Sequence, residues 1–264
     1  MSQTNEKEQI ILPPQFTKED DSFRILSFNI AHGRAKAFSQ FLTSKNNITK
    51  NCKNIGELLK TTQADFVLLQ EIDFQAIWTN HLNQNMLVNA DYHFAFSKEG
   101  QNNFSTKWFK MEYGNSVLSK HEILSHQNYP FEQKYMGGKG FQLAHIKWQH
   151  KDLEIINLHL HPYSSKTRAF QLKVIEDLLL STRKSYIIGG DFNMTAEDPF
   201  LIDFVKKLNL DQPKNDGHTH QFLHWKKRLD YIFGTPDIQW LKSEIINTQF
   251  SDHSPLFQDF KWKL

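Results

Sequence analysis

Several polar side chains follow directly after apolar, strand-like runs, and their types suit the binding of a cation together with an anion. The segment 186–193 is the most informative, because an apolar run ends at two glycines and is followed by Asp191 and Asn193. This pattern predicts a buried strand that delivers both side chains to the rim of a sheet. We expect the glycines to let the backbone turn and to let a ligand approach closely.

The same arrangement recurs elsewhere in the chain. A single polar residue at a strand end is usually a turn or a helix cap, but a whole set of such ends is harder to explain in that way. Ligand sites in α/β sheets gather beyond the strand ends, so we expect the set to converge in one pocket. Its members are two amides, four acids and two histidines, namely Asn29, Asn193, Glu71, Asp191, Asp230, Asp252, His159 and His253.

The chemistry of this set is that of a metal-assisted reaction at an anion. Carboxylates and amide oxygens without a cysteine favour a hard cation, Mg²⁺ or Mn²⁺, over Zn²⁺. Histidines beside acids suit proton transfer and the stabilisation of a developing negative charge. Together these groups suit the attack of water on a phosphoester.

The elements that must position these residues are many strands and fewer helices. Strands outnumber helices, and the helices are interspersed, so we predict an α/β fold with two sheets packed face to face and helices outside. Residues 1–22 form a polar lead, and residues 23–264 form one domain. The predicted strands lie at 23–30, 65–70, 92–96, 115–119, 141–148, 153–159, 185–189, 229–233 and 255–261, and the predicted helices at 49–61, 165–181 and 199–208.

Composition narrows the class of protein. A chain of 264 residues can form one large domain, and its net charge of +2 argues weakly against a dedicated nucleic-acid binder while allowing a local basic patch. The single cysteine, Cys52, excludes an intramolecular disulfide. The polar start of the chain lacks the apolar segment of a signal peptide, and no run reaches the length of a membrane span. We therefore expect a soluble protein, with a cytoplasmic location favoured; no protein partner can be deduced.

The ordered motifs resemble those of the endonuclease/exonuclease/phosphatase superfamily. They extend from residue 23 to the C-terminus, and Gly-Asp-x-Asn and Ser-Asp-His are the more specific of them. The set identifies the superfamily but not a subfamily. The matching segments are Ser27-Phe28-Asn29-Ile30, Leu69-Gln70-Glu71, Gly114-Asn115-Ser116-Val117-Leu118-Ser119, Asn157-Leu158-His159-Leu160, Gly190-Asp191-Phe192-Asn193, Arg228-Leu229-Asp230-Tyr231-Ile232 and Ser251-Asp252-His253-Ser254-Pro255.

The resemblance implies a four-layer α/β sandwich, with two mixed sheets packed face to face, and a divalent-metal phosphoesterase. Glu71 would be the principal metal ligand, with Asn29 beside it, and Asp252 would support the metal or its waters. Asn115 and Arg168 are expected to bind substrate. For Arg168, a solvated helix face is the simpler alternative.

The resemblance also implies catalytic roles. Asp191 would orient or deprotonate the attacking water, and Asn193 would hold a phosphate oxygen. His253 would contact the scissile phosphate, with its ring fixed by Asp230, while His159 would bind phosphate or protonate the leaving oxygen. In a second scheme, the His253–Asp230 pair activates the water and His159 is the acid.

Two further segments have competing interpretations. The cluster of His218, His220 and His224 fits a loop near the mouth of the site better than a zinc site, because no cysteine or acid pair completes it. Trp108 and Phe109 lie between lysines, and they could stack nucleobases, rest on a lipid interface or belong to the core.

We expect a magnesium-dependent phosphodiesterase. The alternatives are a nuclease acting on DNA or RNA, a sphingomyelinase-like lipid phosphodiesterase and a non-catalytic binding protein that keeps the fold. The lipid enzyme would need an exposed apolar hairpin, for which Trp108-Phe109 is the only candidate in the sequence. An inositol 5-phosphatase is disfavoured, because Gly-Asp-Phe-Asn-Met-Thr replaces the pattern of that subfamily.

Overall fold

A computed structural model of the chain describes residues 16–19, 21–79, 81–88, 92–98, 111–131, 139–149, 151–182 and 184–263. None of the helices described is long and apolar enough to cross a membrane. The α-helices are α1 (Lys45–Thr62), α2 (Asn85–Val88), α3 (Ser165–Leu179) and α4 (Pro199–Lys207). The strands are β1 (Phe23–Asn29), β2 (Phe66–Ala76), β3 (His93–Lys98), β4 (Met111–Ser119), β5 (Ile123–Pro130), β6 (Gly140–Trp148), β7 (Lys151–His159), β8 (Ser185–Asp191), β9 (His220–Phe222), β10 (Trp225–Lys227), β11 (Asp230–Gly234), β12 (Ile238–Ile245) and β13 (Leu256–Trp262).

The strands form two mixed sheets and one separate hairpin. The six-stranded sheet has the order β12-β13-β1-β2-β4-β3, and the five-stranded sheet has the order β11-β8-β7-β6-β5. Strand β1 pairs in parallel with β2, and β7 pairs in parallel with β8. Strands β9 and β10 form the hairpin. Parallel strands end at the same edge of their sheet, so each sheet presents two neighbouring carboxyl ends.

Alternating apolar side chains divide the core into three layers. In β1, Ile25 lies in the layer between the sheets, whereas Leu26 lies in the layer that packs on α1. In β8, Ile187 lies between the sheets, and Ile188 lies in the layer that packs on α3 and α4. This alternation is the period of a strand that is buried on both faces. The predicted four-layer α/β sandwich is confirmed.

Buried amides join the two sheets close to the strand ends. The Nε2 of Gln70 on β2 donates to Oδ1 of Asn157 on β7 at 2.7 Å. In return, Nδ2 of Asn157 donates to the carbonyl oxygens of Leu69 and Ser116 at 2.9 and 3.0 Å. Both amide side chains are fully buried. Their hydrogen bonds fix the relative position of the sheets, because a slip would leave buried polar groups unpaired.

The two glycines before Asp191 act differently from our expectation. Strand β8 continues through both of them to Asp191, so the chain does not turn there. A Cβ on Gly189 would lie 2.8 Å from Cδ1 of Leu68 in the other sheet, and a Cβ on Gly190 (φ +136°) would lie 2.0 Å from the carbonyl oxygen of Leu158. The glycines therefore permit close packing of the protein on itself rather than the approach of a ligand.

The strands that the sequence did not predict are largely exposed. Strand β5 is exposed along most of its length at the edge of its sheet, and β10 is exposed throughout. Short β9 and half-buried β12 were also missed. An exposed strand needs no apolar run, so hydrophobic periodicity does not reveal it.

A buried ion pair ties the start of the domain to its end. The Nε and Nη2 of Arg24 donate to the two carboxylate oxygens of Asp259 at 2.6 and 2.7 Å. The guanidinium also donates to the carbonyl oxygens of Thr62, Phe16 and Thr17. Phe16 and Thr17 of the predicted polar lead thus contact Arg24, and Lys18 pairs with Asp65, while 1–15 and 20 lie outside the described residues.

We expect Asp259→Asn to lower the free energy of unfolding by about 3–5 kcal/mol, because it leaves the Arg24 cation buried without its counter-charge. Chemical denaturation monitored by circular dichroism measures this loss. Lys60→Ala is the matched control, because it removes an exposed pair with Glu57 and should change stability by about 0.5 kcal/mol or less. Equal effects of the two substitutions would contradict this account of the buried pair.

Candidate active site

Three strands of the five-stranded sheet place one polar side chain each in a single row. In the strand register, His159 of β7 pairs with Asp191 of β8, and Asp191 pairs with Asp230 of β11. Residues paired across neighbouring strands point to the same face of a sheet. The sequence brings these three residues together only because the apolar runs before them set the register.

Asp191 lies at the centre of a cluster of polar side chains, which it forms with Asn29, His159, Asp230 and His253. Its Oδ2 accepts a hydrogen bond from Nδ2 of Asn29, at the end of β1 in the other sheet, at 3.1 Å. Its Oδ1 accepts from the backbone N–H of Asn193 at 2.9 Å. The Nε2 atoms of His159 and His253 each lie 3.7 Å from Oδ2. Burial raises the pKa of Asp191, and the charge of His253 opposes that rise.

His253 is held by Asp230. Its Nδ1 lies 2.8 Å from Oδ2 of Asp230, which leaves Nε2 facing Asp191. The backbones of both residues are also held in place. The Thr219 hydroxyl accepts a hydrogen bond from the N–H of Asp230, and the Ser251 hydroxyl accepts one from the N–H of His253. Burial lowers the pKa of His253, but Asp230 and Asp191 more than offset it and raise that pKa to about 10.

Glu71 lies at an irregular point of β2. The register shifts between Leu69 and Ile72, and Glu71 has a left-handed backbone with φ 52°. A bulge re-aims a side chain in this way. The carboxylate lies 3.5 Å from Nε2 of His32 and 3.7 Å from Nε2 of His159. Burial opposes ionisation of Glu71, but the neighbouring positive charges, His32 and His159 foremost, hold its pKa well below the usual range.

Four of the ten described non-glycine residues with a positive φ lie in or beside the cluster. Ala31, His32, Glu71 and Asn193 all have positive φ values between 48° and 55°. Such conformations cost about 1–3 kcal/mol each for residues other than glycine, and they persist only where the surroundings enforce them. Holding these four residues in position therefore lowers the stability of the fold.

Four predicted site residues have other described contacts. Nδ2 of Asn193 donates to the carbonyl oxygen of Leu160, so this side chain fastens the turn after β8. Asp252 forms an ion pair with Arg34. Asn115 donates to the carbonyl oxygen of Gly140, and its buried Oδ1 has no hydrogen-bond partner among the described residues.

Arg168 is the fourth of these residues, and its described hydrogen bonds lie outside the cluster. Its guanidinium donates to the carbonyl oxygens of His161 and Pro162, in the loop between β7 and α3. The hydroxyl of Ser164 caps that helix by accepting from the N–H of Thr167. In this structure Arg168 stabilises the loop that follows His159.

Sequence analysis missed three residues that the structure places beside the cluster, namely His32, Asp73 and Lys139, whereas it expected His220 in a loop near the mouth of the site. His32 lies between Glu71 and Asp73, with Nδ1 2.7 Å from the Asp73 carboxylate. Lys139 approaches the His159 ring, with Nζ 2.9 Å from Nδ1, and the ring of His220 lies against His253. For Asp73, the position two residues after Glu71 was a usable signal. The others follow non-regular segments, so no periodic pattern marked them.

The donor atoms fit a hard cation. Asp191, Asp230 and His253 bring possible ligand atoms within 4.8 Å of one another, and the buried Oδ1 of Asp230 has no hydrogen-bond partner among the described residues. However, the described hydrogen bonds already occupy Nδ1 of His253 and Oδ1 of Asp191. The Glu71 carboxylate is ionised and 24% exposed, so it is the more accessible oxygen donor. The predominance of oxygen donors favours Mg²⁺ or Mn²⁺.

In the metal-free protein, we expect His253 to remain protonated at pH 8, and Asp230→Asn to bring its pKa back toward about 6.5. The folded-state pKa lies above the unfolded value. The stability contributed by the pair is therefore complete below about pH 6.5 and is lost as the pH rises through about 10. Nitrogen-15 NMR of the histidine rings measures the protonation state. A neutral His253 at pH 8 in the unsubstituted, metal-free protein would refute this electrostatic description.

Known proteins are similar to this chain in sequence and in fold. A phospholipase C from Staphylococcus aureus is 22% identical over 259 residues, which cover 83% of this chain and 76% of that protein. An endonuclease/exonuclease/phosphatase from Bacteroides vulgatus superimposes with a TM-score of 0.70 at 17% identity, over 92% of this chain and 99% of that chain. A mutant of the beta toxin from Staphylococcus aureus, with bound magnesium ions, gives 0.66 at 20% identity, over 92% and 100%.

At these identities, the two superpositions show the fold alone. The sequence profile described as "Endonuclease/Exonuclease/phosphatase family" matches residues 26–253, which include Asn29 at the start of the cluster and His253 at its end. Members of this family are hydrolases that act on phosphoesters. Since the profile covers most of the chain and the fold agrees with it, the chain belongs to the endonuclease/exonuclease/phosphatase family.

Proposed function

We propose that this protein is a magnesium-dependent hydrolase of phosphoester bonds and that its substrate is a phosphodiester. One observation carries the proposal. The carboxylate of Asp191 is surrounded by His159 and His253, and His159 also contacts Glu71. A base, two possible donors to phosphoryl oxygens and an ionised carboxylate thus converge at one edge of both sheets. These groups suit the hydrolysis of a phosphoester.

We assign the activation of water to Asp191. A buried carboxylate with a raised pKa keeps the proton affinity that a general base needs. His253, held through Nδ1 by Asp230, would present Nε2 to a phosphoryl oxygen. His159 would bind the phosphate or donate a proton to the leaving oxygen. In the alternative assignment, the His253–Asp230 pair accepts the proton of the water.

Glu71 and Asn29 are the residues that we propose to hold the cation. Bound there, Mg²⁺ would neutralise negative charge on the phosphoryl group. The magnesium ions in the beta toxin structure support this choice of metal. Asn29 has a second task, because its Nδ2 donates to Asp191. A substitution of Asn29 should therefore disturb the cation and the base together.

Asp191→Ala should lower the magnesium-dependent hydrolysis of an aryl phosphodiester by about 100-fold or more, because the general base is lost. The rate of nitrophenol release measures this effect, and chelation of the metal should abolish activity until Mg²⁺ is restored. Asp203→Ala, an exposed acid on α4 that pairs with Lys207, is the matched control and should leave the rate unchanged. Full activity in Asp191→Ala would rule out our assignment, and inactivity of the unsubstituted chain toward all phosphoesters would favour a binding protein.

A lipid phosphodiesterase is the second candidate, because exposed apolar side chains lie beside the site. We call this set the apolar rim, and the similarity to a phospholipase C supports the same candidate. The rim is exposed in the structure, with Leu42 at 81% and Leu223 at 75%. It comprises Phe38, Phe41, Leu42, Phe222, Leu223 and Trp225.

The apolar rim is contiguous with the cluster. The rings of Phe38 and Phe222 lie 6.3 Å apart, which joins the loop before α1 to the β9–β10 hairpin. Phe41 packs on Trp78, whose Nε1 donates to Asp73 beside His32. In the sequence, Trp108-Phe109 is the only candidate for the apolar hairpin of a lipid enzyme, and 99–110 lie outside the described residues. The β9–β10 hairpin is a second candidate, so Trp108-Phe109 is not the only one.

The charge around the apolar rim favours an anionic surface. Neither segment 33–48 nor segment 217–229 contains an aspartate or a glutamate, and both contain lysine and arginine. Basic residues next to inserted apolar side chains are typical of binding to a lipid interface. The two leucines of the apolar rim favour hydrocarbon, whereas its four aromatic rings suit a lipid interface and nucleobases alike.

Leu42→Ser and Leu223→Ser should each weaken binding to vesicles of phosphatidylcholine with a minor fraction of phosphatidylserine by about 10-fold, because each removes a buried leucine side chain from the bilayer. Co-sedimentation without magnesium measures binding apart from catalysis. Leu180→Ser, at the exposed end of α3, is the control and should bind normally. A panel with plasmid DNA, RNA and sphingomyelin then decides the substrate; cleavage of nucleic acid alone would make the protein a nuclease.

A further inference from the structure

The β9–β10 hairpin brings a third histidine against the cluster. His220 and His253 form an antiparallel bridge. The flanking hydrogen bonds run from the N–H of Ser254 to the carbonyl oxygen of Thr219 at 2.6 Å and from the N–H of Gln221 to that of Asp252 at 2.9 Å. The two histidines are therefore a directly opposed, non-hydrogen-bonded pair. Side chains of such a pair point to the same face and lie close together.

The side chains follow this backbone arrangement. The ring centroids of His220 and His253 are 4.7 Å apart, with an interplanar angle of 61°. Both nitrogens of His253 face carboxylates, Nδ1 toward Asp230 and Nε2 toward Asp191. By contrast, neither ring nitrogen of His220 has a hydrogen-bond partner in the part of the chain that the structure describes. The ring is half-buried, so a molecule bound at His253 can reach it.

The other two histidines of the same segment differ. His218 and His224 are exposed, and the ring of His224 lies 5.2 Å from that of Trp225. The described side chains of this segment thus form no zinc cluster, and His220 alone faces the catalytic side. The nitrogens of the half-buried His220 ring are therefore available to water or to a ligand.

We propose that His220 is a further substrate-contacting residue, whose ring N–H donates a hydrogen bond to a phosphoryl oxygen of the substrate bound at His253. This inference rests on the proposed function of the site. No covalent step is assigned to His220; it would stabilise the charge that develops on the phosphoryl oxygens. The contact would also hold the β9–β10 hairpin, and with it part of the apolar rim, next to the bound phosphoryl group.

Kinetics with a magnesium-loaded enzyme and an aryl phosphodiester test the proposal. His220→Ala and His220→Phe should lower kcat/KM by about 100-fold, in line with the loss of one donor to a transition-state oxygen. His220→Gln, which keeps an N–H donor, should recover part of that loss. His220→Phe keeps a ring against His253, so full activity in this variant would overturn the proposal in favour of packing. His224→Ala is the control and should match the unsubstituted enzyme.

A binding measurement decides the matter independently of turnover. Inorganic phosphate, titrated in the presence of Mg²⁺, should shift the nitrogen-15 NMR signals of the His220 ring, and His220→Phe should weaken phosphate binding about 10-fold or more. If phosphate leaves those signals unchanged, or binds equally well to the variant, the proposal fails. If the protein shows no phosphodiesterase activity but phosphate still shifts the His220 signals, the proposed function is refuted, whereas the contact between His220 and phosphate is supported.

Discussion

The two sheets must meet with the ends of their parallel strands at one edge, because the cluster takes side chains from both. Asn29 and Glu71 come from the six-stranded sheet, and Asp191 comes from the five-stranded sheet. The buried hydrogen bonds between Gln70 and Asn157 set this alignment. A relative shift of the sheets would break these bonds inside the core, where water cannot replace them, and would separate Asn29 from Asp191.

Charge compensation is the second constraint on the cluster. Buried carboxylates are costly unless a cation or hydrogen-bond donors accompany them. Here His32 lies beside the Glu71 carboxylate and His253 lies beside that of Asp191, while His159 lies between the two carboxylates. The same proximity that makes the acids tolerable in the folded protein gives them altered proton affinities. Stability and the proposed chemistry therefore depend on the same contacts.

How far the sequence could be interpreted depended on burial. Strands β1, β7 and β8 are buried and carry continuous apolar runs, and they were predicted nearly to their ends. The edge strand β5 and the exposed hairpin β9–β10 carry no such run, so they were missed. The sequence placed His220 in a loop near the mouth of the site, but without the hairpin it gave no reason to set this residue against His253. The bulge at Glu71 was also hidden, since it depends on the pairing of β2 with β4.

By itself, the sequence determined which residue types end the buried strands, the superfamily and the four-layer fold, because apolar periodicity and ordered motifs are local properties of the chain. Only the tertiary structure decided which of these residues share a contact. It joined Asp191 to Asn29 across the two sheets, engaged Arg168 in a loop and placed His220 against His253. Such contacts depend on strand register and sheet packing between distant segments, and no local pattern of residues encodes those distances.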